Sequence, residues 1–182
     1  MKDAFSLVTI RSELGRPWLV VLFGIAYVIS QATIIVILGP IEDAMIKLQT
    51  TGFSASDYLT VFRAWDASGE MALYRAHFIL DDYHWIWYAL LFTALLSWLF
   101  ERQEIAHKYN WVLLLPMASG LLDWYENRIQ HIFLSAGDYS TIVDPLPLYS
   151  TLASDVKWAF ALAYFGLSLV LIVKCWLRRK SN

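Results

Sequence analysis

From Pro17 to Pro40 the chain carries no charged residue, and about 20 consecutive apolar residues suffice to cross the hydrocarbon core of a bilayer. A soluble helical core has no place for a segment that long and that apolar on every side. Two further stretches repeat the pattern. Tyr83–Phe100 holds no acidic or basic residue except His84, and Trp158–Val173 holds none. The whole chain is 58% hydrophobic and 16% charged, against about 25% charged residues in an ordinary soluble domain. Nine Trp, ten Tyr and ten Phe supply anchors for two membrane interfaces.

These stretches, with the less pure run Trp111–Leu134, predict an all-α integral membrane four-helix bundle. The spans are placed near 17–39, 80–100, 111–134 and 153–174. The 182 residues then form one membrane domain, without a separate soluble one. The first span is too long for a signal-peptide core and lacks an A-x-A site, so it is expected to be retained. Segment 40–79 is expected to form a partial outer cap with short amphipathic helices at Ile41–Leu48 and Ala55–Trp65. Ser54 or Ser56 is the expected N-cap of the second, and Gly69 lies near its break. Lys2–Gly15 reads as a short interfacial helix.

Charge sets the expected orientation. Lys2, Arg11, Arg16, Arg102, Lys108, Lys174, Arg178, Arg179 and Lys180 fall on one side, nine of the fourteen basic residues. Cytoplasmic connections carry the Lys/Arg excess, so both termini are predicted to be cytoplasmic; the membrane is expected to be a bacterial inner membrane. A net charge of −2 without a basic block argues against nucleic acid as a partner. The only cysteine, Cys175, excludes an internal disulfide or a dithiol redox pair.

The third stretch carries what a bilayer penalises. At about 100° per residue, Asp123, Glu126, Asn127, Gln130 and His131 share one helix face, extended by Pro116, Ser119 and Gly120. Ionisable groups at membrane depth normally face a bundle interior and mark function. Asp123 is expected roughly 16 Å below the outer end of its span. Span two brings Asp81, His84 and Tyr88 to the same leaflet. Span four brings Ser150, Ser154, Lys157 and Tyr164, and span one brings Tyr27 and Gln31. The expectation is one shared polar cavity in the outer half, with Tyr27, Gln31, Asp81, His84, Tyr88, Asp123, Glu126, Asn127, His131 and Lys157 as ligand-binding residues.

Plainer readings exist for several of these residues. Asp81 and Asp82 suit a helix start, Lys157 can snorkel to head groups, and His84 can be an interfacial aromatic. Trp85, Trp87, Trp124, Tyr125 and Trp158 read as interface anchors. Arg128 points off the polar face, toward phosphate or Asp138. Asp123, Glu126 and Asn127 resist such readings, being short and deep. Two close carboxylates and an amine also suit proton chemistry, so Asp123, Glu126 and Lys157 are the catalytic candidates should the chain be an enzyme. Metal-ligand spacing is present only in outline, so no metal is assigned, and the cofactor is left unknown. G-x-S-x-G is absent, and the Ser154/Lys157 S-x-x-K spacing is a weak serine-nucleophile signal.

The arrangement resembles a group of small, largely bacterial four-span membrane proteins. Their pattern is an aspartate opening span two with a tyrosine two turns on, D-x-x-E-N in span three, and Lys-Trp in span four. Here these read Asp81 with Tyr88, Asp123-Trp-Tyr-Glu126-Asn127, and Lys157-Trp158. The similarity runs from about Tyr74 to Trp158, and His84-Trp85 departs from a usual Phe-Pro pair. It implies the four-span architecture and the choice of residues, and no reaction.

Three functions follow as expectations. The first is a pocket for membrane lipid or another amphipathic small molecule, with or without acid–base processing. The second is an accessory or assembly subunit of a larger membrane complex. The third is a proton- or ion-coupled transporter acting as a homo-oligomer, which the absence of internal repeats disfavours.

Overall fold

A computed structural model describes residues 6–180, with side chains through Arg178. Lys2 and the side chains of Arg179 and Lys180 lie outside the described residues. Within them the regular structure is all helical. The α-helices are α1 (Leu7–Leu14), α2 (Pro17–Leu38), α3 (Glu42–Thr51), α4 (Ala55–Ser68), α5 (Met71–Arg102), α6 (Leu114–Phe133) and α7 (Leu146–Lys180). Two 3-10 turns, Gly39–Ile41 and His107–Leu113, join α2 to α3 and lead into α6.

Three helical stretches are long and apolar enough to cross a membrane: Pro17–Thr51, Met71–Arg102 and Leu146–Arg178. α6 is not among them, because its 20 residues include Asp123, Glu126 and Arg128. α2 and α7 leave most of their apolar surface outside the fold, whereas half of the α5 window is buried. α5 is therefore the central rod. α2 packs along it on one side, α6 on another, and α7 packs chiefly on α6.

Two helices differ from the sequence expectation in the same way. α5 starts at Met71, not near 80, and α7 starts at Leu146, not near 153. Arg75, His77, Asp81 and Asp82 interrupt apolarity, but nothing between Met71 and Arg102 is Gly or Pro, so nothing breaks the helix. Asp81 and Asp82 are consequently mid-helix residues, not helix-start carboxylates. The 32 residues of α5 span roughly 48 Å, well beyond a hydrocarbon core of about 30 Å.

Segment 40–79 likewise does not stand apart from the bundle. Pro40 tightens the chain into a 3-10 turn, as expected where a residue lacks its N–H. α3 then packs on α7. Thr151 Oγ1 fixes it by donating to the carbonyls of Gly52 (2.7 Å) and Leu48 (3.2 Å). α4 begins at Ser54 with a capping box to Asp57 and ends at Gly69, whose φ of 82° is a left-handed cap that glycine adopts without strain.

Two hydrophobic clusters bracket the bundle. One, under α3 and α4, joins Tyr58, Phe62, Trp65, Tyr74, Phe78, Phe133 and Tyr139, with ring centroids 5.3 Å apart for Phe62–Tyr74 and 5.0 Å for Tyr58–Phe133. The other gathers Leu96, Leu99, Phe100, Val112, Leu113 and Leu171 at the opposite end. There α1 is locked by Arg11. This buried guanidinium pairs with Glu101 (2.7 Å) and donates to the Ile105 carbonyl (2.7 Å) and Asn110 Oδ1 (3.0 Å).

Candidate functional site

Between those clusters lies a polar layer built by α5, α6 and α7. His77, Asp81, His84 and Tyr88 recur at i, i+4, i+7 and i+11 on α5, which places them on one face. α6 comes close to that face at Gly120, where a Cβ would meet the Trp85 ring at 3.0 Å, Ala89 Cβ at 3.2 Å and the Trp85 carbonyl at 3.3 Å. The small residue is what lets the two polar stripes meet. Asn127 Nδ2 crosses the gap, donating to Asp81 Oδ2 (3.0 Å) and to the Asp81 carbonyl (3.2 Å).

The centre of the layer is a closed triad. Lys157 Nζ donates to Asp123 Oδ1 and to Glu126 Oε2, both at 2.6 Å. All three residues are buried, Glu126 to 2% and Lys157 to 8% exposure. Lys157 thus turns inward instead of snorkelling. Charge-assisted bonds of this length are among the stronger polar contacts in proteins, and here they tie α6 to α7. Ser119 Oγ adds a bond to the Lys157 carbonyl at 3.1 Å. The second Glu126 oxygen accepts from Gln49 Nε2 of α3 at 3.0 Å, so α3 closes the layer from above.

Around the triad the partners are uneven. His77 is 1% exposed, and its Nδ1 meets the Tyr74 carbonyl. Its Nε2 is 4.0 Å from Asp81 Oδ2, too far for a hydrogen bond. His84 Nδ1 pairs with Ser30 Oγ at 2.8 Å and its ring stacks on Tyr27 at 5.3 Å. The hydroxyls of Tyr88 and Ser154 are buried without a hydrogen-bond partner, Tyr88 facing Asp123 and Ser119. Such orphaned groups in a native interior call for an explanation.

The structure therefore brings together Asp81, Tyr88, Asp123, Glu126, Asn127 and Lys157. His84 and Tyr27 border them. Gln31 is half-buried on α2 and joins none of these bonds, because α2 packs on α5 rather than on α6 or α7. His131 lies to one side, where its Nε2 meets both Asp82 oxygens at 2.9 Å. Arg128 reaches Asp82 at 3.6 Å and lies over Trp124, not toward Asp138. His84 is 6% exposed, so it is an interior residue rather than an interfacial aromatic, whereas Trp124, Tyr125 and Trp158 are exposed.

Two contributors, His77 and Gln49, escaped the sequence reading, and the partners of a third, Gln130, did too. His77 continues the α5 stripe one turn upstream and was legible once the helix was extended. Gln49 carries no local signal, since its contact with Glu126 depends on how α3 docks. Gln130 sits on the recognised α6 face, but its partners come from elsewhere. Its Oε1 accepts from Tyr74 (2.7 Å), and its Nε2 donates to Ser150 Oγ (2.7 Å) and Tyr58 Oη (3.1 Å). Burial pushes the Tyr58 phenol above its usual pKa, opposed by its bonds to Ser150 and Gln130.

Among the described residues no group of three or more His, Cys, Asp or Glu is arranged to hold a metal ion. No family model, curated protein or solved structure matches the chain.

Proposed function

We propose that this chain is a four-span bacterial inner-membrane protein, with α6 as the fourth span and both termini cytoplasmic, of the small D-x-x-E-N type. Its polar layer, in the outer half of the bundle, binds the head of a lipid or another amphipathic small molecule. The observation that carries this reading is an imbalance. Three carboxylates, Asp81, Asp123 and Glu126, converge with a single amine, while the Tyr88 hydroxyl stands buried beside them without a partner. Asn127 ties one oxygen of Asp81 to α6, but a layer serving only to fasten helices has no use for a third carboxyl where an amide would do, or for the idle hydroxyl. Because Lys157 engages both Asp123 and Glu126, binding fits the geometry better than acid–base turnover.

The test is lipid extraction and mass spectrometry on protein purified in mild detergent. The wild type carries a bound amphiphile at near-stoichiometric level, and Glu126→Gln loses it. No bound molecule in either protein overturns the proposal.

The closed triad itself favours a second reading, an accessory subunit in which buried polar groups specify helix packing. That reading expects other chains to co-purify in fixed ratio, and their loss when Asp123 is changed to Asn.

A further inference from the structure

Resting on the pocket reading, we infer that the ligand's head is cationic: the protonated amine of an amphiphile, seated between Asp81 and Asp123 beside Tyr88. The argument begins with charge. Asp81, Asp123 and Glu126 bring three carboxyl groups to the layer, and Lys157 brings one amine. The other nearby ionisable groups do not redress this. His77 stands 4.0 Å from Asp81, His84 is engaged by Ser30, and Asp82 is matched on its own side by His131 and Arg128. A phosphate or carboxylate head would deepen the excess, and a neutral head would leave it. An ammonium offsets it in the low-dielectric setting where an unpaired charge is most costly.

Hydrogen-bond capacity points the same way. A primary ammonium presents three donors and no acceptor. Lys157 uses Oδ1 of Asp123, and Asn127 uses Oδ2 of Asp81. One oxygen of each carboxylate and the unpartnered Tyr88 hydroxyl then make three acceptors. The apolar tail has a place as well. Phe92 of α5 lies between Tyr27 of α2 (6.4 Å) and Phe165 of α7 (6.1 Å), an aromatic strip along which such a tail can lie.

The experiment is thermal unfolding of the full chain in detergent micelles, titrated separately with dodecylamine, dodecanol and sodium dodecanoate. Dodecylamine alone is expected to raise the unfolding temperature saturably. Asp81→Asn should weaken its apparent affinity roughly 10–100-fold, the worth of a charge-assisted bond, while Asp82→Asn stays near wild type. Tyr88→Phe provides a second arm. It should weaken amine binding without lowering the stability of the ligand-free protein, since its hydroxyl has no partner to lose. Saturable stabilisation by dodecanoate or dodecanol instead of the amine overturns the cationic head and leaves the pocket standing. Stabilisation by none of the three overturns both. Dodecylamine binding unchanged in Asp81→Asn and Tyr88→Phe overturns the site.

Discussion

Replacing Lys157 by methionine keeps most of the side-chain volume and removes the only amine from the layer. Two bonds of 2.6 Å disappear. At an effective dielectric near 20, a unit charge pair about 4 Å apart attracts by about 4 kcal/mol. The variant no longer has to desolvate the ammonium, which offsets part of that loss. Stranding one side of a buried ion pair then costs about 3–5 kcal/mol net. Asp123 and Glu126, three residues apart on α6, also repel each other once the amine is gone. For a chain of this size such a loss lowers the unfolding temperature by roughly 6–20 °C. Tryptophan fluorescence during heating in detergent micelles reads the shift. The triple variant Asp123→Asn, Glu126→Gln, Lys157→Met should recover most of it, because neither acid of the triad is left without its amine. A Lys157→Met protein within about 1 kcal/mol of wild type, or a triple variant no better than the single, refutes the reasoning.

Other substitutions probe the frame around the triad. Gly120→Leu forces α6 away from the Trp85 backbone and should cost about 1–3 kcal/mol, read by the same melts. Gln130→Leu strands the buried Tyr74 hydroxyl and takes from Ser150 its shorter bond, with a loss of about 1–3 kcal/mol. Arg11→Ala releases α1 from Ile105 and Asn110. Faster amide exchange in α1 should follow, with the polar layer unchanged. Ser54→Ala removes one half of the α4 capping box, at about 1 kcal/mol.

Legibility in the sequence followed physical range. α2 and the body of α7 announced themselves, because charge-free length is a property of the segment alone. The polar face of α6 was equally plain, since helical spacing places Asp123, Glu126 and Asn127 together without reference to any partner. The start of α5 was not, because Arg75, His77, Asp81 and Asp82 end an apolar window without ending a helix. The shared cavity was expected to draw on all four rods. In the structure Tyr27 reaches it only through His84, and Gln31 does not join. Which helix faces which is decided by tertiary packing, as is the reach of Gln49 to Glu126. Arg128 shows the same limit: the carboxylate expected for it was Asp138, and its partner is Asp82 on a neighbouring helix.

Amine-selective acetylation of the folded protein, with the rate at each lysine read by mass spectrometry, is the most direct measurement of whether Lys157 is held inside by two acids. Lys47 and Lys174 are exposed and should react readily, while Lys157 stays unmodified until Asp123 and Glu126 are neutralised together. Reaction of Lys157 in the wild type as fast as Lys174 would contradict the account.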